Sequence, residues 1–519
     1  MTKMIKDPIH GSIEFEGEAE LQLKSMLADP FFQRLRRVKQ LGFSDYVFPS
    51  AAHSRFAHSL GVYSVAKRML SVVEREARDG EWTSKGRACL AAALLHDIGH
   101  GMFSHAFESA MELFVERNPQ PDDSALQAAV NHEKVGQRII TDSSIAMTLT
   151  EMGGPDFPSM VAGMINKADK SCVYTSLVSS QLDADRLDYA KRDPYFAGVS
   201  SGGLDLDWLI RNFQVGSGEN GQFLYVNSKA YISLEQFTVT LFQLYPTLYL
   251  HKRTRGLEYM FSLLMSRVFE RIAEGDERAA GLSSSHPLVR FFREPDRLEN
   301  ALLLDDTLLW GSLHLFQEAG DKSITTVADR ITSRKFYPML DVWKLADEVA
   351  AKDGTMKGLD AAKRVGVLHK VCEKVSQDLR KNDGLWTEAC YYDRYPRPIY
   401  KPLGAEGGHP QQINVEVGGK IVDIASISPI VASAANFNIH RIYFDDVDEG
   451  LQERLALESD QASEESSRRR RRTDSVSRFR GRRSSSVRGC GRHGRCPMNV
   501  TYRGYDWVGP SAEGPLLVP

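Results

Sequence analysis

The residues with the clearest chemical potential lie in Leu94-Leu95-His96-Asp97-Ile98-Gly99-His100, where a histidine is followed at once by an aspartate. The pair closes the apolar run Ala91-Ala92-Ala93-Leu94-Leu95. Burying two adjacent ionisable groups is costly unless they are paired or bind a metal. Two further donors flank it: His58, in Arg55-Phe56-Ala57-His58-Ser59-Leu60-Gly61, and Asp185, in Leu182-Asp183-Ala184-Asp185-Arg186. Two imidazoles and two carboxylates suit a divalent ion such as Mn, Mg or Fe. A metal with an open position activates water against a phosphate ester. His58, His96, Asp97 and Asp185 are therefore the candidate metal ligands. Any one of them alone would more often be a satisfied core residue. As a set of four in this order, the structural alternative weakens.

More histidines surround the set. His100 lies one helical turn after His96, His105 follows in Phe103-Ser104-His105-Ala106-Phe107-Glu108, and His132 precedes Glu133. Histidines beside a metal can steady phosphate charge or protonate a leaving oxygen near neutral pH.

Helices must position these groups. Apolar spacing is helical from Glu18 to about Leu41, with Asp29 as cap and Pro30 at the first helical position of a second segment. Ser54 to Arg78 carries one apolar stripe, and Gly86 to Leu95 is a buried helix running into the His-Asp pair. Further helices are expected over Glu133–Thr141, Met160–Ile165, Ser180–Lys191, Leu234–Leu250 and Arg255–Ile272. Residues 1–20 read as a hairpin-like entry. After about residue 395 the texture changes: Gln412–Val417 and Lys420–Ile424 alternate around Gly418-Gly419, as in a hairpin. His440–Phe444 is one more candidate strand. The fold class expected is mainly α, a helical bundle with a smaller mixed α/β C-terminal lobe and a disordered tail. The boundaries expected are 1–275 for the metal-bearing core, 276–455 for the helical and mixed lobe, and 456–519 for the tail.

Composition sets outer limits. With 519 residues, 42% apolar and 26% charged, the chain is ordinary globular material for one large or two modest domains. Six cysteines in this length make no disulfide framework, and reduced thiols in a cytoplasmic protein are expected. Neither a secretory leader nor an apolar run long enough for a membrane span is read in the chain. Charge is uneven despite a net of −3: from Arg468 onward there are 13 arginines, no lysine and three acidic residues. Such a tail can bind nucleic acid through counterion release, although a solvated tail or out-of-frame sequence is the commoner explanation. Cys490-x2-His493-x2-Cys496 offers too few ligands to argue for zinc.

Taken together, the motifs resemble the HD-domain dNTP triphosphohydrolases, the SAM- and HD-domain protein type and its bacterial dGTPase-like relatives, without the SAM domain. The residues that carry the resemblance begin with Asp7-Pro8-Ile9-His10-Gly11, Phe32-Gln33-Arg34-Leu35-Arg36, Lys39-Gln40-Leu41-Gly42 and Tyr46-Val47-Phe48-Pro49. They continue with the stretch from His53 to Val62, His96 to His105, Asp183 to Asp193, and Tyr249-Leu250-His251-Lys252. The similarity covers about residues 5–260. It implies a metal held by His58, His96, Asp97 and Asp185, and attack of water on the α-phosphorus of a dNTP. The products would be deoxynucleoside and tripolyphosphate. By the same resemblance His105 would be the general acid, held by Glu108. His132, His100 and Arg55 would steady phosphate oxygens, and Arg186 and Tyr189 would contact phosphate. Gln40 and Asp193 would hold the 3′-hydroxyl, with Leu41 and Tyr249 walling off a 2′-hydroxyl. Gln33 and Arg36 match part of a site for a GTP or dGTP activator that assembles a dimer or tetramer, although Ala28 replaces an acidic residue there. Leu241 stands where the family has a further phosphate-binding arginine, and Leu250 replaces a polar residue on the base side. The alternatives are another HD phosphohydrolase, acting on monophosphates, cyclic nucleotides or alarmones, and a nucleic-acid-binding protein with an incidental metal site.

Overall fold

In the computed structural model, residues 2–445 are described apart from 76–80, 119–123, 201–202, 220, 353–357, 382–389, 396–398, 404–406 and 434–438. The arginine-rich tail, its expected disorder and its possible nucleic-acid contact all lie outside the described residues. The fold is mainly α with small sheets.

Contacts divide the chain into two units. Of the described residues, one comprises 2–337 with 399–433, the other 338–395 with 439–445. This division does not follow the expected boundary at 275, because 276–337 stays with the helical body.

The first unit opens with an antiparallel hairpin, Lys3–Asp7 on Gly11–Phe15. The helix Arg55–Val73 packs on Ser84–Leu95 and on Ala184–Ala197. The long helix Lys252–Ala273 packs on His105–Arg117. Local sequence explains the ends. Ser54 caps the first of these helices by accepting from Ala57 N, Thr83 caps the second through Gly86 N, and Asp183 caps the third through Arg186 N. Each side-chain oxygen satisfies a backbone N–H that has no partner inside the helix. Asp29 and Pro30 take the cap and first-turn places expected of them. The segment read as Leu234–Leu250 is a helix only over Tyr231–Leu244 and continues as a wider turn, Tyr245–Tyr249, around Pro246.

Gly418-Gly419 does turn a hairpin, Asn414–Val417 on Lys420–Asp423. Its first strand then pairs in parallel with Gly221–Asn227, so this hairpin completes a sheet of the first unit. Only the strand Ile439–Phe444 belongs to the second unit. There it lies between Met339–Asp341 and Cys390–Tyr395. Val342, Leu368, Val371, Tyr392, Ile442 and Phe444 form that unit's core. Among the described residues no helix is long and apolar enough to cross a membrane.

Candidate metal centre and histidine cluster

The four candidate ligands converge. His58 comes from the first turn of its helix, His96 from the C-terminal end of Ser84–Leu95, and Asp185 from the first turn of Ala184–Ala197. His58 Nε2 lies 3.2 Å from His96 Nε2, 3.0 Å from Asp185 Oδ1 and 3.8 Å from Asp97 Oδ2. His96 Nε2 is 3.4 Å from Asp97 Oδ1 and 3.7 Å from Asp185 Oδ1.

The back sides of the two rings decide their tautomers. His96 Nδ1 is 3.0 Å from the Ala93 carbonyl, which can only accept, so Nδ1 carries the proton. His58 Nδ1 is 2.7 Å from Asp188 Oδ2, which fixes the same choice. Both Nε2 lone pairs then face each other among carboxylate oxygens, an arrangement that repels unless a cation lies between them. A carboxylate or carbonyl behind a ligating imidazole is the usual support of a metal-bound histidine. The donor set therefore fits a divalent metal. Burial alone would lower the His58 pKa, yet hydrogen bonds to Asp185 and Asp188 push it up to about 10, the same demand for positive charge.

Behind His58 stands a buried network. Asp188 also meets His10 Nε2 at 2.5 Å and accepts from Arg192 Nε at 2.8 Å and Nη2 at 3.0 Å. Arg192 in turn donates to Asp7. Burial would raise the Asp188 carboxyl, but Arg192, His10 and His58 hold it well below the usual range. The network needs Gly61: a Cβ there would lie 2.0 Å from Asp188 Oδ1.

On the other side of Asp97 lies a histidine trio. His100 stacks on His132 with centroids 4.1 Å apart, and His105 meets both edge-on at 5.1 Å. One carboxylate serves two of them. Glu108 Oε2 is 2.9 Å from His105 Nδ1, while Oε1 is 2.7 Å from His132 Nδ1 and accepts the His132 N–H at 2.8 Å. Gly99 lets the His132 helix come this close, since a Cβ there would meet His132 O at 2.0 Å and Gly136 N at 2.4 Å. Burial pushes His100 well below the ordinary histidine range and also lowers His105. Burial would raise Glu108, but its histidine hydrogen bonds hold it low. Asp97 is common to both clusters. Its Oδ1 is 3.4 Å from His100 Nε2, and Arg55 Nη1 donates to its Oδ2 at 2.5 Å. Burial raises Asp97, and Arg55, His96 and His100 more than reverse this.

The remaining candidates fall into two groups. Gln40 Oε1 and Nε2, Arg55 Nη2, His100 Nδ1 and Tyr189 OH are buried without a protein partner. Asp193 is engaged, meeting His53 Nε2 at 2.9 Å and accepting from Tyr249 OH at 2.8 Å. Tyr249 packs edge-on against Tyr189, and Leu41 is buried. Arg186 lies 3.8 Å from Asp183. Leu241 is a core residue, 2% exposed, so no cation can be expected from that position. Gln33 and Arg36 pair with each other at 2.9 Å, and Arg36 lies over the Phe56 ring.

Sequence reasoning gave no role to Asp188, His10, Arg192, Asp7 or His53, although the Asp7–His10 motif and the Asp-rich 183–193 stretch contained most of them. It also missed Lys167. This residue follows the helix Phe157–Ile165 in a left-handed conformation, φ 55. Burial lowers its ammonium pKa, and it lies in the field of Asp183, Arg186, Glu133 and Asp185.

Comparisons with known proteins identify the family. The HD domain family model matches residues 55–188, the span from Arg55 to Asp188. An uncharacterized Bacillus subtilis protein, YwfO, is 31% identical over 343 residues, covering 65% of this chain and 72% of that protein. The chain belongs to the HD-domain family. HD domains are metal-dependent phosphohydrolases, and the donor set of this HD protein is of that kind. Its relatives include a Dictyostelium discoideum protein named deoxynucleoside triphosphate triphosphohydrolase SAMHD1 homolog, 28% identical over 267 residues. That match covers 50% of the HD protein and 48% of the relative, so about half of the relative's length is spanned. A Bacteroides thetaiotaomicron phosphohydrolase structure shares the fold, with TM-score 0.62 and 24% identity over 86% of this chain and all of that one.

Proposed function

We propose that this HD protein hydrolyses deoxynucleoside triphosphates to deoxynucleoside and tripolyphosphate. The observation that carries the reading is that Arg55 and His100, both against the ligand Asp97, keep buried polar atoms without a protein partner, as do Gln40 and Tyr189. Buried polar groups without partners are costly in a finished core. Here they fit a ligand that brings many acceptor oxygens and a hydroxyl.

His58, His96, Asp97 and Asp185 would hold the divalent metal, which supplies Lewis acidity and lowers the pKa of water. Mn, Mg and Fe all suit this donor set. Arg55 and Arg186 place guanidinium groups against the triphosphate, where charge-assisted hydrogen bonds are strongest. His100 and His132 add donors to phosphate oxygens. Water attacks the α-phosphorus and loses a proton to solvent or a nearby carboxylate; the bond from phosphorus to the 5′ oxygen breaks. His105, protonated when the triphosphate's negative charge is bound beside it, gives its Nε2 proton to that oxygen, and Glu108 on Nδ1 orients the ring for the transfer. Gln40 and Asp193 receive the 3′-hydroxyl. Leu41 and Tyr249 leave no room for a 2′-hydroxyl, and such a gate discriminates well because a wrong substrate strands buried polar groups.

Activation by GTP or dGTP at Gln33 and Arg36, with assembly into a dimer or tetramer, is a further part of this reading. So are cytoplasmic location and contact of the arginine-rich tail with nucleic acid. The deciding experiment incubates purified protein with each dNTP and NTP plus Mn, Mg or Fe. Tripolyphosphate from dNTPs supports the reading. Pyrophosphate or single phosphates instead would overturn it. A GTP-independent rate and an unchanged sedimentation profile would remove the activator.

A further inference from the structure

The loop Ile98–Ser104 carries His100 and delivers His105 at the start of the helix His105–Arg117. Its last two residues, Phe103 (φ 50) and Ser104 (φ 52), are both left-handed although neither is glycine. Such backbone costs roughly 1–2 kcal/mol per residue, so the surroundings must hold it. Three holds are visible. The Phe103 ring stacks on Phe43 with centroids 3.9 Å apart. Ser104 Oγ accepts from Arg55 Nε at 2.8 Å. The Phe103 N–H donates to Asp306 Oδ1 at 2.7 Å, across 203 residues of chain.

The other oxygen of the same carboxylate is also used. Asp306 Oδ2 accepts the N–H of Lys39 at 2.9 Å, immediately before Gln40 and Leu41. Asp306 is 2% exposed, and no ion pair accompanies it among the described residues. A buried carboxylate without an ion pair is an expensive way to hold a loop, and burial pushes its pKa up to about 7. What it provides is two acceptors on one rigid group, one for each loop. Asparagine has a single acceptor and would turn an NH₂ toward the second N–H.

We infer that Asp306 is a positioning residue that locks the loop leading into the proton-donating histidine to the segment bearing the sugar-recognising glutamine. The inference rests on the triphosphohydrolase reading for its kinetic consequences, while the clamp itself is a matter of backbone hydrogen bonds. Proton donation and rejection of the 2′-hydroxyl then depend on one side chain that touches neither substrate nor metal.

The test uses the full, metal-loaded chain. Asp306→Asn is expected to lower kcat for dNTPs by roughly 10- to 100-fold, the scale of a misplaced reacting group. It should shrink the dNTP-over-NTP preference about tenfold. Thr307→Ala, a change at an exposed position of the same helix, should leave both within about twofold. Hydrogen exchange without nucleotide reads the clamp directly: peptides over 98–105 and over 37–41 should both lose protection in Asp306→Asn and in neither case in Thr307→Ala. Should Asp306→Asn fail to fold, Lys39→Pro deletes one arm and keeps the carboxylate, and it should loosen both peptides and lower both kinetic quantities. Loosening of only one peptide, or of neither, overturns the inference, as does an Asp306→Asn enzyme with unchanged kcat and sugar preference. If the wild type releases no tripolyphosphate, the function proposed above fails, and the exchange pattern still decides the clamp.

Discussion

On one side of Asp97, His58 is pushed up to about 10; on the other, His100 and His105 are pushed down. All three rings are buried. The difference lies in their carboxylates. His58 sits between Asp185 and Asp188, whereas Glu108 is shared by His105 and His132, and Arg55 adds its positive charge to that side. Burial penalises charge in both places, and neighbouring charges decide which way each ring goes. One side is built to hold a cation. The other keeps His100 and His105 neutral, and only an arriving anion would favour the protonated rings that can donate from both nitrogens.

The strongest way to break this comparison is at the residue common to both sides. Asp97→Ala is expected to reduce turnover by at least roughly 10²–10³-fold, the scale of losing one transition-state electrostatic contact, and to lower bound metal measured by elemental analysis. Asp185→Ala should do the same. Full metal content with normal turnover in either variant would refute the ligand assignment.

Next comes the trio alone. His105→Asn should lower kcat by about 10²–10⁴-fold, as for loss of a general acid, with metal content unchanged. Glu108→Gln should cost about as much, because the carboxylate orients two rings at once. Loss of metal in either variant would mean the two sides are not separable.

Legibility in the sequence followed the range of the signal. The ligands His96 and Asp97 could be read because an apolar run ends on them, and the helices because their stripes are local. The pairing of Asn414–Val417 with Gly221–Asn227 could not be read, since a parallel pairing across that distance has no local signature. Asp188 was visible as a letter in a motif. Its pairing with Arg192, one turn on in the same helix, is local, but its role also depends on His10 arriving from the N-terminal hairpin. The second role of Glu108 depends on how closely Gly99 lets the His132 helix approach. Asp306 has no signal beyond capping-type composition near Asp305.

A pH series sharpens the contrast between the two sides. The raised pKa of His58 contributes stability that is complete below the ordinary histidine value of 6.5 and is lost as pH rises through about 10. The lowered pKa values of His100 and His105 act in the opposite sense: stability is present above 6.5 and is lost as pH falls below it. Asp306, raised to about 7, partly offsets the acid loss, and does so equally in variants that keep it. Urea midpoints in chelator should therefore fall on both limbs. His58→Gln should flatten the alkaline limb and His105→Gln soften the acid one. Both variants acting on the same limb would contradict the opposite polarities.

The smallest expected effect concerns Lys167, which stands at the edge of the comparison. Its ammonium lies in the field of Asp183, Asp185 and Glu133, close to where Arg186 would meet phosphate. Leu241, buried in the core, supplies no cation of its own. If Lys167 contacts the triphosphate, Lys167→Met should raise KM about fivefold, equivalent to roughly 1 kcal/mol for one partly solvated charge contact. It should leave kcat nearly unchanged, since a uniform loss of binding acts on KM alone. The effect should shrink as salt is added, because a half-exposed charge is screened. A fall in kcat with KM unchanged would instead make Lys167 a support for the Asp183–Arg186 turn, and phosphate binding would rest on the arginines and histidines.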